Sequence, residues 1–129
     1  MSIIGTGIDV VEVDRFEKAV REKEDKFLHR IFTPEELEYA GGKKTRFMHM
    51  AGKFAAKEAV KKAIPDGAKI GLSWSDIEIL NNSDGKPYVR LHGEAERLVK
   101  GNGPVTVLVS ISHTRNVAIS NAMVVKNDS

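Results

Sequence analysis

The sequence predicts an α+β fold, a mainly antiparallel sheet packed on one face by a long helix. Three features carry that expectation. A run from about residue 45 to Pro65 repeats apolar residues at Phe47, Met50, Ala51, Phe54 and Ala55, the spacing of a helix with one buried face. Beyond residue 67 the apolar pattern turns to alternation in short segments punctuated by Gly, Asn and Asp, as strands and tight turns require. The chain has 129 residues without an internal repeat or linker, so residues 1–129 are expected to form one domain around one core.

In chain order, residues 3–11 are a β-branched run broken by Gly5 and Gly7, read as a buried strand that another backbone or a ligand approaches closely. Asp9 interrupts this run. It must be paired, capping or metal-bound, because an isolated buried carboxylate costs too much; the ordinary outcome is a cap on the next helix or a pair with Arg15. A helix over 14–23 buries Phe16, Ala19 and Val20, and residues 26–32 read as a separate turn of helix. Thr33-Pro34-Glu35-Glu36 is a helix start, with Thr33 at the N-cap and Pro34 in the first turn, and Gly41-Gly42 is expected to end that helix. Residues 74–80 alternate as a half-buried strand, 81–87 form a turn with an Asp-Gly pair, and 88–91 return, which makes a hairpin. A short helix over 93–100 follows. Strands over 104–112 and 117–125 pair antiparallel, and residues 126–129 are expected to fray.

Composition narrows the function. Hydrophobic residues make up 41% and charged residues 29%, ordinary values for a soluble globular protein, and no apolar run is long enough for a bilayer, which points to the cytoplasm. Zero cysteines exclude disulfides and thiolate metal sites. A net charge of +2 with 6% aromatic residues and no recognisable motif argues against a nucleic-acid binder. Lys43, Lys44 and Arg46 cluster without acids before the long helix and favour a phosphate or an acidic partner.

Extending the helix stripe at about 100° per residue brings Glu58 and then Lys62 onto the face where burial is expected. An ordinary i,i+4 ion pair accounts for them equally well and would contribute only a few tenths of a kcal/mol, roughly 0.2–0.5. Asp9 on a strand and Glu58 on a helix are also two hard oxygen ligands suited to Mg²⁺, which completes its shell with water and substrate phosphates. Lys62 could take a proton from an attacking hydroxyl if burial and nearby positive charge lower its pKa. These residues leave three readings open: phosphoryl transfer, hydrolysis of another phosphate ester, or an oligomerisation domain with an incidental ion pair.

Six segments in order resemble one family. Gly7-Ile-Asp-Val-Val-Glu-Val-Asp-Arg15, Arg30-Ile-Phe-Thr-Pro-Glu-Glu-Leu37, Phe54-Ala-Ala-Lys-Glu-Ala59 with Lys62, Trp74-Ser-Asp-Ile-Glu-Ile79, Gly85-Lys-Pro87 and Ser110-Ile-Ser-His-Thr114 resemble holo-acyl-carrier-protein synthases. These are the short type of 4′-phosphopantetheinyl transferase. The resemblance implies that fold, and transfer of phosphopantetheine from coenzyme A to a serine of apo acyl carrier protein with release of adenosine 3′,5′-bisphosphate. It implies Mg²⁺, with Mn²⁺ as substitute, on Asp9 and Glu58, and Lys62 or water as proton acceptor. Coenzyme A would meet Lys53, Lys62, Gly85, Pro87, His113 and Thr114. The carrier would dock on Arg15, Lys26, Phe27 and Arg30. The precedent of longer relatives built from two similar halves implies a homo-oligomer, a trimer, with clefts between subunits. Lys53 stands where relatives often carry Arg, Lys61 where a small or apolar residue is usual, and Ser120-Asn121 is more polar than usual; neither Lys61 nor that pair is expected at the metal site.

Overall fold

A computed structural model describes residues 1–40 and 45–127. The Gly41-Gly42 helix stop, Lys43 and Lys44 of the basic cluster, and the last two residues of the tail lie outside the described residues.

Strand β1, Ser2–Glu12, forms the edge of a three-stranded sheet ordered β1-β5-β4, with β5 at Val117–Lys126 and β4 at Val105–His113. Both pairings are antiparallel. A second sheet is the hairpin of β2, Ile77–Asn81, and β3, Pro87–Leu91, again antiparallel. The helices are α1 at Val13–Ile31, α2 at Pro34–Ala40, α3 at Arg46–Ala63, the short α4 at Gly67–Ile70 and α5 at Gly93–Lys100.

The long helix α3 lies across the inner face of the three-stranded sheet. Glycine makes this possible on the strand side. A Cβ built on Gly5 would stand 1.8 Å from the Ala63 carbonyl oxygen, and one on Gly7 2.0 Å from that of Ala59. No other residue lets the two backbones touch. A register shift between Ile3 and Gly5 inserts an extra residue at Ile4, so Ile3 faces out while Gly5, Gly7 and Asp9 all face the helix.

The helix is buried far beyond the expected stripe. Phe47, Met50, Ala51 and Ala55 are buried as expected, but so are Lys53, Ala56, Lys57, Ala59, Val60 and Ala63. Its C-terminal half packs with Ile77, Ile79, Val99 and Val124, and its N-terminal half with Phe16, Val20, Ile31 and Phe32.

Three expectations change. Residues 14–23 and 26–32 are one continuous helix, α1, which lets a single apolar stripe run from Val13 to Ile31. The segment beginning at Trp74 opens with a 3₁₀ turn, Trp74–Asp76, and the strand starts only at Ile77. That strand is buried from Ile77 through Leu80 on both faces, because α3 covers one side and Thr33, His92 and their neighbours the other. At the chain end β5 reaches Lys126, and the Asn127 N–H donates to the Pro104 carbonyl at 2.8 Å, so the start of the tail expected to fray is tied to the sheet.

Candidate active site

Asp9 neither caps α1 nor pairs with Arg15. Its side chain is 19% exposed and meets Lys62, whose Nζ lies 3.1 Å from Oδ1 and also donates to the Ile8 carbonyl at 3.0 Å. Arg15 pairs instead with Glu12 at 3.7 Å. Lys62 therefore turns away from Glu58 and toward β1. Its side chain is 49% exposed, not buried among positive neighbours as the proton-acceptor reading requires.

Glu58 is half-buried on α3, and its Oε1 accepts a hydrogen bond from the indole N–H of Trp74. Oε2 makes no hydrogen bond or ion pair among the described residues. Asp9 and Glu58 thus each keep a carboxylate oxygen for a cation. No group of three or more His, Cys, Asp or Glu is assembled among the described residues. Two carboxylates alone fit an ion that completes its shell with water and phosphate oxygens, as Mg²⁺ does.

A second cluster lies on the other side of α3. Nine residues separate Lys53 from Lys62, about two and a half helical turns, so the two leave the helix in opposite directions. Lys62 reaches edge strand β1, whereas the buried Lys53 donates to the Ile79 carbonyl on β2 at 2.9 Å. Around Lys53 a cavity of about 180 Å³ is lined by Tyr39, His49, Gly85, Pro87 and His113. Four of the residues expected at coenzyme A therefore meet in one place. Gly85 has φ +87°, which bends the β2–β3 turn toward it. The rings of His49 and His113 meet edge to face at 5.6 Å, and Lys53 Nζ stands 4.6 Å from the Tyr39 ring centroid. Asn81 also lines this cavity, and its Oδ1 is a buried acceptor without a hydrogen-bond partner among the described residues. Thr114 is not in the lining. Its Oγ1 accepts the N–H groups of Asn116 and Val117, both at 3.2 Å, and so builds the β4–β5 turn.

Continuity of α1 arranges the remaining residues. Arg15, Lys26 and Arg30 are exposed and, at about 100° per residue, fall on one face of the helix. Phe27 is half-buried beside them under the Lys23 ammonium, 4.9 Å from its ring. Arg30 also lines an open basin of about 460 Å³ with His29, Lys61 and Trp74. Lys61 thus shares that basin with the indole that holds Glu58. Asn121 likewise lines a groove with Ile8 and Lys62, beside Asp9.

A buried polar network supports these elements, and sequence reasoning missed it. Lys57 Nζ pairs with Glu36 at 2.8 Å, both side chains fully buried, and donates to the carbonyls of Trp74 at 3.0 Å and Ile77 at 2.7 Å. Burial pushes the Lys57 ammonium below its ordinary value, against the opposing charges of Glu36 and Glu78. Glu36 closes a capping box with Thr33, accepting its N–H at 2.8 Å, and its Oε2 accepts the Ile79 N–H at 2.8 Å. Glu78 accepts from the Thr33 hydroxyl at 2.6 Å and meets His92 at 3.0 Å. Burial opposes its ionisation, but the hydrogen bonds from Thr33 and His92 and the charges of His92 and Arg90 together hold its carboxyl below the ordinary value. Two signals were available: the Thr33-x-x-Glu36 box, and the position of Lys57 three residues before Val60 on an apolar stripe.

A family model described as the 4′-phosphopantetheinyl transferase superfamily matches residues 5–110. A holo-[acyl-carrier-protein] synthase of Geobacter metallireducens is 45% identical over 123 residues, covering 95% of this chain and 96% of its own. The chain belongs to the holo-acyl-carrier-protein synthase family. Among solved structures, the synthase from Bacillus anthracis in complex with CoA (3′,5′-ADP) superposes with a TM-score of 0.78 at 35% identity, over 97% of this chain and 98% of that one. The synthase from Plasmodium yoelii gives 0.83 at 34% identity, over 98% of both chains. The chain is thus an enzyme of this transferase family, with a mixed fold of helices and antiparallel sheet.

Proposed function

We propose that this synthase transfers the 4′-phosphopantetheine arm of coenzyme A to a serine of apo acyl carrier protein and releases adenosine 3′,5′-bisphosphate. The observation that carries the reading is the pair of sites on α3. The carboxylates of Asp9 and Glu58 would hold a divalent cation, with Lys62 beside it, for a pyrophosphate substrate. The cavity around Lys53, His49 and His113 suits the adenosine and its 3′-phosphate, and the unpartnered Asn81 Oδ1 can accept from an amine of the base.

In the transfer, the serine Oγ bonds to the phosphorus that bears the pantetheine. The bond from that phosphorus to the bridging oxygen breaks, and the electron pair leaves with adenosine 3′,5′-bisphosphate. A bound Mg²⁺, with Mn²⁺ as substitute, would neutralise charge on the pyrophosphate oxygens. Asp9 and Glu58 would hold it. Lys62, in its ion pair with Asp9, supplies a positive charge to the departing phosphate, and the serine proton passes to water. Thr114 shapes the β4–β5 turn that carries His113 toward the nucleotide.

The two clusters lie on opposite sides of the sheet, by edge strand β1 and edge strand β4. A complete cleft therefore calls for the β1 side of one copy against the β4 side of another, a head-to-tail contact that closes into a ring; a homotrimer is the ring proposed here. The outward face of the sheet supports this, because Ile8, Val10, Leu108 and Ile119 are all exposed on it. The basic face of α1, with Arg15, Lys26 and Arg30 and with Phe27 beside it, is the dock for the acidic carrier, where charge raises the encounter rate and fixes register. The enzyme works in the cytoplasm. No described helix is long and apolar enough to cross a membrane.

The test is direct. Incubated with coenzyme A and Mg²⁺, apo carrier protein should gain the mass of one phosphopantetheine, and Glu58→Gln should abolish the gain while melting like the wild type. A carrier of unchanged mass beside an active relative refutes the reading.

A further inference from the structure

Trp74 is the single tryptophan of the chain, and it stands on the 3₁₀ turn before β2, 16 residues beyond Glu58 in sequence. Three residues of one stripe of α3 hold it. The Phe54 ring meets the indole edge-on at 5.6 Å, Lys57 Nζ grips its backbone carbonyl at 3.0 Å, and Glu58 Oε1 accepts its indole N–H. The Lys57 ammonium is itself anchored by Glu36 and the Ile77 carbonyl, so the turn cannot drift relative to the helix.

The geometry points to Trp74 as the positioning residue that aims Glu58 at the metal, a role that rests on Glu58 being a metal ligand. The chemistry of the donor favours this over a packing role. An indole N–H donates and cannot accept, and it carries no charge. It fixes the carboxylate rotamer through Oε1, leaves Oε2 for the cation and does not neutralise the negative charge that attracts one. A lysine in its place would compete with the metal. Hydrogen bonds of this kind to ligating carboxylates orient the ligand and raise affinity for the ion. The same bond makes the indole a reporter, since a cation arriving on Glu58 changes the charge its N–H sees. The fluorophore also faces the open basin lined by His29, Arg30 and Lys61, so its emission responds to that side independently of the metal.

The experiment titrates Mn²⁺ into full-length protein with coenzyme A present, following free Mn²⁺ by electron paramagnetic resonance and indole emission in parallel. In the wild type the two curves should share one midpoint. Trp74→Phe, which keeps the ring against Phe54 and removes the donor, should weaken Mn²⁺ binding about 10- to 100-fold. Coenzyme A affinity without metal should stay at the wild-type value, and excess Mg²⁺ should restore kcat. Glu58→Ala should remove both Mn²⁺ binding and the emission change. It should also shift the indole N–H resonance in metal-free protein, a reading of the bond itself that requires no metal. If Trp74→Phe binds Mn²⁺ with the wild-type midpoint, the positioning role is overturned while the metal reading stands. If the wild type binds no Mn²⁺ at all, both fall together. An indole resonance unmoved by Glu58→Ala overturns the contact.

Discussion

Replacing Gly7 by alanine would set a methyl carbon 2.0 Å from the Ala59 carbonyl oxygen and 3.0 Å from the Ala63 nitrogen. Both are backbone atoms of α3, so no side chain can swing aside. To reach an ordinary contact the strand and the helix must part by more than about 1 Å, and overpacking of this kind costs about 1–3 kcal/mol or more. The damage should fall on activity even more than on stability. Asp9 is two residues along β1 on the same face, and Glu58 adjoins Ala59, so the displacement opens between the two carboxylates. A misplacement of about 1 Å at a reacting centre is worth roughly a hundredfold in rate. Urea unfolding and the mass-shift assay on carrier protein measure the two effects. Gly101→Ala is the control, because its φ is −62° and its added carbon would stand 3.4 Å from the Leu98 carbonyl; it should change stability by no more than about 0.5 kcal/mol. A Gly7→Ala enzyme with wild-type unfolding and turnover would refute the close approach as the device that brings the acids together.

Other perturbations read the same architecture. Lys57→Met strands the buried Glu36 carboxylate and should cost about 3–5 kcal/mol in urea unfolding, whereas replacing both partners by apolar residues should recover most of it. A loss below 1 kcal/mol would contradict the pairing. Glu78 is held below its ordinary value of 4.5, so below that pH the unfolded chain binds protons that the folded one does not. Its stabilisation should be complete above about pH 4.5 and fade as the pH falls through its folded value. Melting temperatures of the wild type and Glu78→Gln should therefore converge on acidification, and a constant gap would argue against it. On the outward sheet face, Ile8 is 59% and Leu108 50% exposed, and Ile8→Glu with Leu108→Glu should turn the proposed trimer into monomers in sedimentation and remove turnover. Unchanged sedimentation would exclude that face as the subunit contact.

Much of the site was legible because its parts have local signatures. Thr33-Pro34-Glu35-Glu36 announced a helix start, and α2 begins at Pro34. Gly5 and Gly7 announced a close approach, and the approach is to α3. The stripe through Phe47, Met50 and Ala51 announced the buried face of that helix. Less was legible where a residue's meaning depends on what lies across from it. The partner of Lys57 could not be read, since nothing near it in sequence is its counter-charge; Glu36 sits on another helix. Trp74 read as the start of a strand, since alternation cannot distinguish a strand from the 3₁₀ turn that leads into one.

By itself the sequence determined the element types, the long helix, the two acids that stand out from apolar runs, and through its ordered motifs the family. The elements and the two acids follow from periodicity and spacing, which are properties of neighbours along the chain, and the family from the resemblance of the motifs. Only the tertiary structure decided that Lys62 turns to Asp9 and that an indole holds Glu58. It also decided that the Lys53 cavity and the carboxylates leave α3 on opposite sides. Hydrogen bonds and ion pairs act over a few ångströms, and which groups come within that reach depends on how the helix is laid across the sheet.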